Sequence, residues 1–140
     1  MRIRILTTVI IACLLMSISC PLTVSAAPPR DTIIEPNWTN ISAIILDLSF
    51  SGGKAYCSSI VLGKPGTISI SATYTLQCKN IDGTFSTVKT WFESCLGDLL
   101  IFDESHIATI GNTYRLSVSV KVTSSGGYTE HASDWVEAKY

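Results

Sequence analysis

Residues 111–122 read GNTYRLSVSVKV. Tyr114, Leu116, Val118, Val120 and Val122 share one parity, and Arg115, Ser117, Ser119 and Lys121 share the other. In a strand, successive side chains point to opposite faces, so this alternation buries one apolar face and leaves one polar face in water. A Gly-Asn turn leads in, and an aromatic ring takes the first inward position. The stretch therefore predicts a half-buried strand entered through a tight turn.

The same period extends outward along the chain. Ile44, Leu46, Leu48 and Phe50 form the inward set of a first strand, closed by the turn Ser51-Gly52-Gly53-Lys54. A second strand runs from Ala55 to Leu62, with Ala55, Cys57 and Val61 inward. Gly63-Lys64-Pro65-Gly66 ends it, and hairpin counting through that turn sets Cys57 level with about Ala72. In the third strand Ile68, Ile70, Ala72, Tyr74, Leu76 and Cys78 face inward, alternating with serine, threonine and glutamine. Asn80-Ile81-Asp82-Gly83 turns into a fourth strand, Thr84 to Glu93, where the inward residues Val88 and Trp91 stand three apart and imply a bulge.

Asp98 to Asp103 reads as a fifth strand, followed by a connection through His106 and Ile110 into the sixth. A four-residue turn, Ser124 to Gly127, leads to a seventh strand and sets Lys121 opposite Glu130. Seven short strands with regular turn signals predict an all-β sandwich or barrel. The Gly-Asn-Thr-Tyr entry resembles the tyrosine corner before the sixth strand of immunoglobulin-like domains. The expected fold is thus a single immunoglobulin-like antiparallel β-sandwich of about seven strands.

The first residues read differently. Arg2 and Arg4 precede an apolar run from Ile5 to Ile18, and Val24-Ser25-Ala26 offers small residues to a peptidase. Residues 1–26 are expected to be a cleaved signal peptide, too short a run for a membrane anchor. Acylation at Cys20 is the rival, although Ser17 stands where a lipoprotein site wants a leucine-like residue. Residues 27–39 form an extended, proline-bearing leader and 40–140 the sandwich domain. Cleavage removes Arg2 and Arg4 from ten basic residues, leaving eight against eleven acidic ones, a net of −3. Such a charge-sparse, mildly acidic chain carries no footprint for nucleic acid or anionic lipid. The expectation is a secreted protein with no membrane insertion of the mature chain.

Several motifs together resemble a family of small secreted proteins of Gram-positive anaerobes. They are Trp38-Thr39-Asn40-Ile41, Ser51-Gly52-Gly53-Lys54-Ala55-Tyr56-Cys57, Leu76-Gln77, Val88-Lys89-Thr90-Trp91 and the Gly111–Val122 strand. The last is also similar to fibronectin type III modules, though the second strand here lacks their tryptophan. The resemblance implies an exported binding or structural module and transfers no catalytic residue.

Chemistry-bearing residues are few. Cys57, Cys78 and Cys95 remain after cleavage, an odd number for an exported chain. Hairpin counting sets Cys95 level with about Ile68. The offsets this gives, at ~3.3 Å per residue, exceed the ~4.4–6.8 Å between α-carbons that a disulfide spans. The favoured reading is three small hydrophobic thiols; a Cys57–Cys95 disulfide is the alternative, reachable if a bulge moves Cys95. The cysteines lack zinc-ligand spacing, and the histidines lie far from them. His106 reads as a core-edge residue, and His131 lies roughly opposite Val120.

Asp98, Asp103 and Glu104 could serve a calcium site, but read more simply as a charged strand edge. Asn37-Trp38-Thr39 and Asn40-Ile41-Ser42 are formal glycosylation sequons. No Gly-x-Ser-x-Gly motif or Cys–His pairing points to a hydrolase, so no cofactor, metal or catalytic residue is expected.

Trp91 is expected in the core. Trp38, Trp135 and Tyr128 are the aromatics without a settled place, either a ligand-contacting platform or, for the two tryptophans, caps over the open ends of the core. The functional expectation is a non-enzymatic module binding a protein or a glycan at the cell surface or outside the cell. The alternative is a small secreted effector, an inhibitor or antibacterial protein.

Overall fold

In the computed structural model, residues 37–140 are described. The signal peptide, the Cys20 site and most of the leader fall outside them. Seven strands follow one another: β1 (Ile41–Ser51), β2 (Lys54–Gly63), β3 (Thr67–Lys79), β4 (Phe85–Leu96), β5 (Leu99–Ile107), β6 (Thr113–Ser124) and β7 (Thr129–Lys139). All pairings are antiparallel, in a three-stranded sheet of order β1-β2-β5 and a four-stranded sheet of order β4-β3-β6-β7. The all-β sandwich expected from the sequence is present. In the constant-type immunoglobulin arrangement the fourth strand joins the sheet of the first, second and fifth; here β4 pairs with β3.

Between the sheets lie the inward parities. Tyr114, Leu116, Val118, Val120 and Val122 of β6 are buried, as are Ile70, Ala72, Tyr74 and Leu76 of β3 and Ala55, Cys57 and Val61 of β2. Each fully buried aliphatic side chain contributes about 1.5–3 kcal/mol. Tyr74 and Phe102 stack across the two sheets at 3.8 Å and 6°, and Trp91 meets Phe102 edge-on at 5.5 Å. Burial raises the Tyr74 pKa, partly offset by the nearby Ser59 hydroxyl. Even so, the two hydroxyls miss hydrogen-bond geometry and each stays unpaired. The tyrosine corner is formed: the Tyr114 hydroxyl accepts a 2.8 Å bond from the Thr109 backbone N–H, tying the β5–β6 connection to the core.

Four local expectations are corrected. The Gly63–Gly66 turn does not make a hairpin: β2 and β3 belong to different sheets, so Cys57 lies opposite Leu48 and Glu104, and has no level with Ala72. A side chain at Gly63 would press on Thr67, its Cβ coming within 2.8 Å of that of Thr67, so this crossing needs glycine without needing a positive φ. The bulge in β4 falls at Val88, between the Leu76↔Lys89 and Gln77↔Thr87 pairs. Val88 is therefore exposed, not inward, and Cys95 lies opposite Ile70 rather than Ile68. Ile68, read as inward, is half exposed. Finally, β5 extends to Ile107 and includes His106, which lies opposite Ala55 and half-buried beside Trp91.

The β6–β7 turn also differs by one residue. Ser124 N–H bonds to the Tyr128 carbonyl and Gly127 N–H to the Ser124 carbonyl, a three-residue loop with Gly127 at φ 77°. Lys121 consequently pairs with His131, and Glu130 pairs with Val122 on the inward side.

Candidate functional site

Odd positions of β3 from Ser69 and of β6 point away from the core; Ser69, Ser71, Thr73, Thr75, Thr113, Ser117, Ser119 and Thr123 among them bear hydroxyls, beside Gln77, Lys79, Arg115 and Lys121. Beyond the Val88 bulge, β4 contributes Thr90, Phe92 and Ser94 to this same outer face. From β7 come His131, Ser133 and Trp135. Cross-strand register arranges them in rows. Phe92, Thr73, Ser119 and Ser133 form one row, and Thr90, Thr75, Ser117 and Trp135 the next. A third row holds Ser94, Ser71, Lys121 and His131.

Phe92 is 76% exposed and Trp135 57% exposed. They stand on the two edge strands, three strand spacings and one row apart, about 16 Å at ~4.8 Å between strands. Between them the floor carries serine and threonine side chains and no apolar group. A shallow groove of about 430 Å³ opens beside Phe92, on the side away from Trp135, lined by Phe92, Glu93, Ser94, Ser71, Ala72, Thr73, Ser119, Val120, Lys121 and His131.

Trp135 is held from one side. The Arg115 guanidinium carbon lies 4.6 Å from its ring centroid and 3.8 Å from that of Phe85, so one cation is layered between two rings. Glu137 accepts a 3.0 Å bond from Arg115 and stands 3.8 Å from Lys79. Each cation–π contact at such a surface contributes about 0.5–1 kcal/mol. The contact with Arg115 restrains the Trp135 ring, which stays exposed to solvent.

Of the aromatics singled out from the sequence, only Trp135 joins this face. Trp38 is half-buried and packs against the core cluster, with its carbonyl accepting from the Lys64 ammonium. That is the capping role. Trp135 does not cap the core, because its parity on β7 turns it outward. Tyr128 is 74% exposed in the β6–β7 hairpin, seven residues before Trp135 and so of opposite parity. Phe92, Phe85 and Arg115 were not anticipated. Carrying the parity of the fourth strand past its bulge, already signalled by Val88 and Trp91, would have placed Phe92 outward.

The remaining reactive groups are dispersed. Cys57, Cys78 and Cys95 are free thiols, with Cys57 and Cys95 on different sheets. Burial pushes the Cys57 thiol up to about 12, which keeps it protonated and unreactive. Asn112 Nδ2 approaches the Cys78 sulfur at 3.6 Å. Among the described residues no three His, Cys, Asp or Glu side chains converge on a metal-holding point. No helix among them is long and apolar enough to cross a membrane.

The second outer face, on the three-stranded sheet, is different in kind. Ile45, Ile60 and Ile101 form an apolar row across all three strands, beside Ala43, Leu62 and Leu99. The row of Asp47, Ser58 and Asp103 borders it.

No family model matches this chain, and no curated protein matches it in sequence. Among solved structures it is similar to the solution structure of CsgH from R. palustris, at 12% identity and a TM-score of 0.40, covering 64% of this chain and 87% of that one. It is also similar to the crystal structure of Spo0M, a sporulation control protein from Bacillus subtilis, at 13% identity and a TM-score of 0.37. That match covers 74% of this chain and 51% of that one, so the chain spans about half of Spo0M.

Proposed function

We propose that this protein is an exported, non-enzymatic binding module whose ligand is a saccharide chain laid across the outer face of the four-stranded sheet. The observation that carries the reading is the placement of Phe92 and Trp135 at opposite edges of a hydroxyl-lined floor. Aromatic rings offer flat apolar surface to the C–H faces of sugars, and side-chain hydroxyls both donate and accept toward sugar hydroxyls. A span of about 16 Å suits several sugar units in extended form. Export is supported by the signal-like residues 1–26 and by the resemblance to small secreted proteins.

Affinity electrophoresis in gels containing cell-wall or capsular polysaccharide tests the reading. Wild type should be retarded, while Phe92→Ala and Trp135→Ala each run faster, with affinity reduced about tenfold. Equal retardation of all three proteins, or of none, would overturn it. A protein partner on the Ile45–Ile60–Ile101 row is the second reading, favoured by that row's exposure on all three strands. Loss of a co-purifying protein on Ile101→Lys would support it.

A further inference from the structure

We infer that the saccharide is acidic, with its anionic group seated at Lys121 and His131; this rests on the glycan reading above. The two residues are direct cross-strand partners on the outer face, which sets their Cβ atoms about 4.5–5.5 Å apart. An ammonium and an imidazole placed so close can both turn N–H donors toward an anion seated between them. Neither residue has an ion-pair partner among the described residues, where Lys79, Arg115 and Glu137 account for the salt bridges.

Both line the groove that Phe92 also lines, and Ser71 and Ser119, the cross-strand neighbours of Lys121 on β3 and of Ser133 on β7, bring hydroxyl donors toward the same point. Glu93 of β4 also borders the groove, but it pairs with buried Ala72 and alternates with Phe92 and Ser94, so its side chain takes the inward parity. Lys121 and His131 are thus the ionisable side chains on the groove's own face. A sugar carboxylate, sulfate or phosphate fits the β6–β7 side, and uncharged sugar hydroxyls fit Ser71, Thr73 and Ser94. The row of the Arg115 sandwich differs, because there Glu137 already neutralises the cation. The ligand class is therefore a polysaccharide bearing one anionic group within reach of a ring-stacked unit.

The matched test uses polygalacturonate and the same polymer after carboxyl reduction, with poly(glycerol phosphate) as a phosphate arm, all on the full mature chain. Retention of the carboxylated polymer should exceed that of the reduced one at least tenfold. Lys121→Gln and His131→Gln should each weaken it about fivefold, with unchanged thermal melts because both side chains are exposed. Preference for the phosphate arm, lost in the same two variants, supports the anion seat and assigns phosphate as its source. Equal retention of both carbohydrate forms, still dependent on Trp135, overturns the acidic ligand and leaves the glycan reading intact. No retention of any polymer overturns both.

Discussion

Glu130 ties the two sheets together at one corner of the sandwich. Its carboxylate accepts from three successive backbone N–H groups, those of Thr39 at 2.7 Å, Asn40 at 2.6 Å and Ile41 at 3.0 Å, where the chain enters β1. Burial pushes its pKa up, but the three N–H bonds, with Lys64 nearby, outweigh that and hold it below the ordinary 4.5. A carboxylate with a depressed folded pKa stabilises the fold fully above its unfolded value, and the contribution is lost as pH falls through the folded value. Solvent screening at this partly exposed corner keeps the effect near or below about 1 kcal/mol. Urea melts of wild type and Glu130→Gln should therefore differ at pH 7 and converge only once the pH has fallen past the folded value, which lies below 4.5. A gap that widens on acidification would rule the capping role out. Sequence alone could not assign this role, because a one-residue change in the preceding turn decides whether Glu130 points to water or to β1. The corner tyrosine, by contrast, was readable: Gly-Asn-Thr-Tyr specifies both the turn and the ring that pins it.

At the level of elements, the hairpin between β6 and β7 shows how one glycine fixes a register. Gly127 at φ 77° lets Ser125, Gly126 and Gly127 close a three-residue loop, and every β7 partner follows from that choice. A Cβ in this left-handed region costs about 1–2 kcal/mol. Gly127→Ala should lower the urea-melt stability by about that amount, and an unchanged melt would show that another turn is equally accessible. The alternating runs of β1, β3 and β6 were legible because period-two burial depends only on the strand itself. The β2–β3 crossing was not, since Gly-Lys-Pro-Gly serves a hairpin or a change of sheet equally well. What separates the two is which sheet has room for the next apolar face, and that is a property of the other six strands. The candidate face suffered from the same limit. Its serines and threonines read as the polar half of strands, and only the assembled rows show rings at both margins.

The whole molecule presents two outer faces of unlike chemistry, one hydroxyl-rich with rings at its edges and one crossed by an isoleucine row. Ile101, 63% exposed, belongs to the second and contributes little to folding. Ile101→Lys should leave the unfolding free energy from urea melts within about 0.5 kcal/mol of wild type while raising solubility in ammonium sulfate. A destabilisation above ~1 kcal/mol would place this side chain in the core instead. Neither face could be assigned from single strands, because a face is made of residues from three or four strands whose order only the topology fixes. The passage from one sheet to the other at Gly63 carries an evolutionary consequence. Thr67 occupies the space a side chain at Gly63 would need, so the two positions are free to drift only as a pair. Related sequences with a larger residue at 63 should carry glycine at 67, a covariation that would mark this sheet-to-sheet crossing even where overall identity has faded.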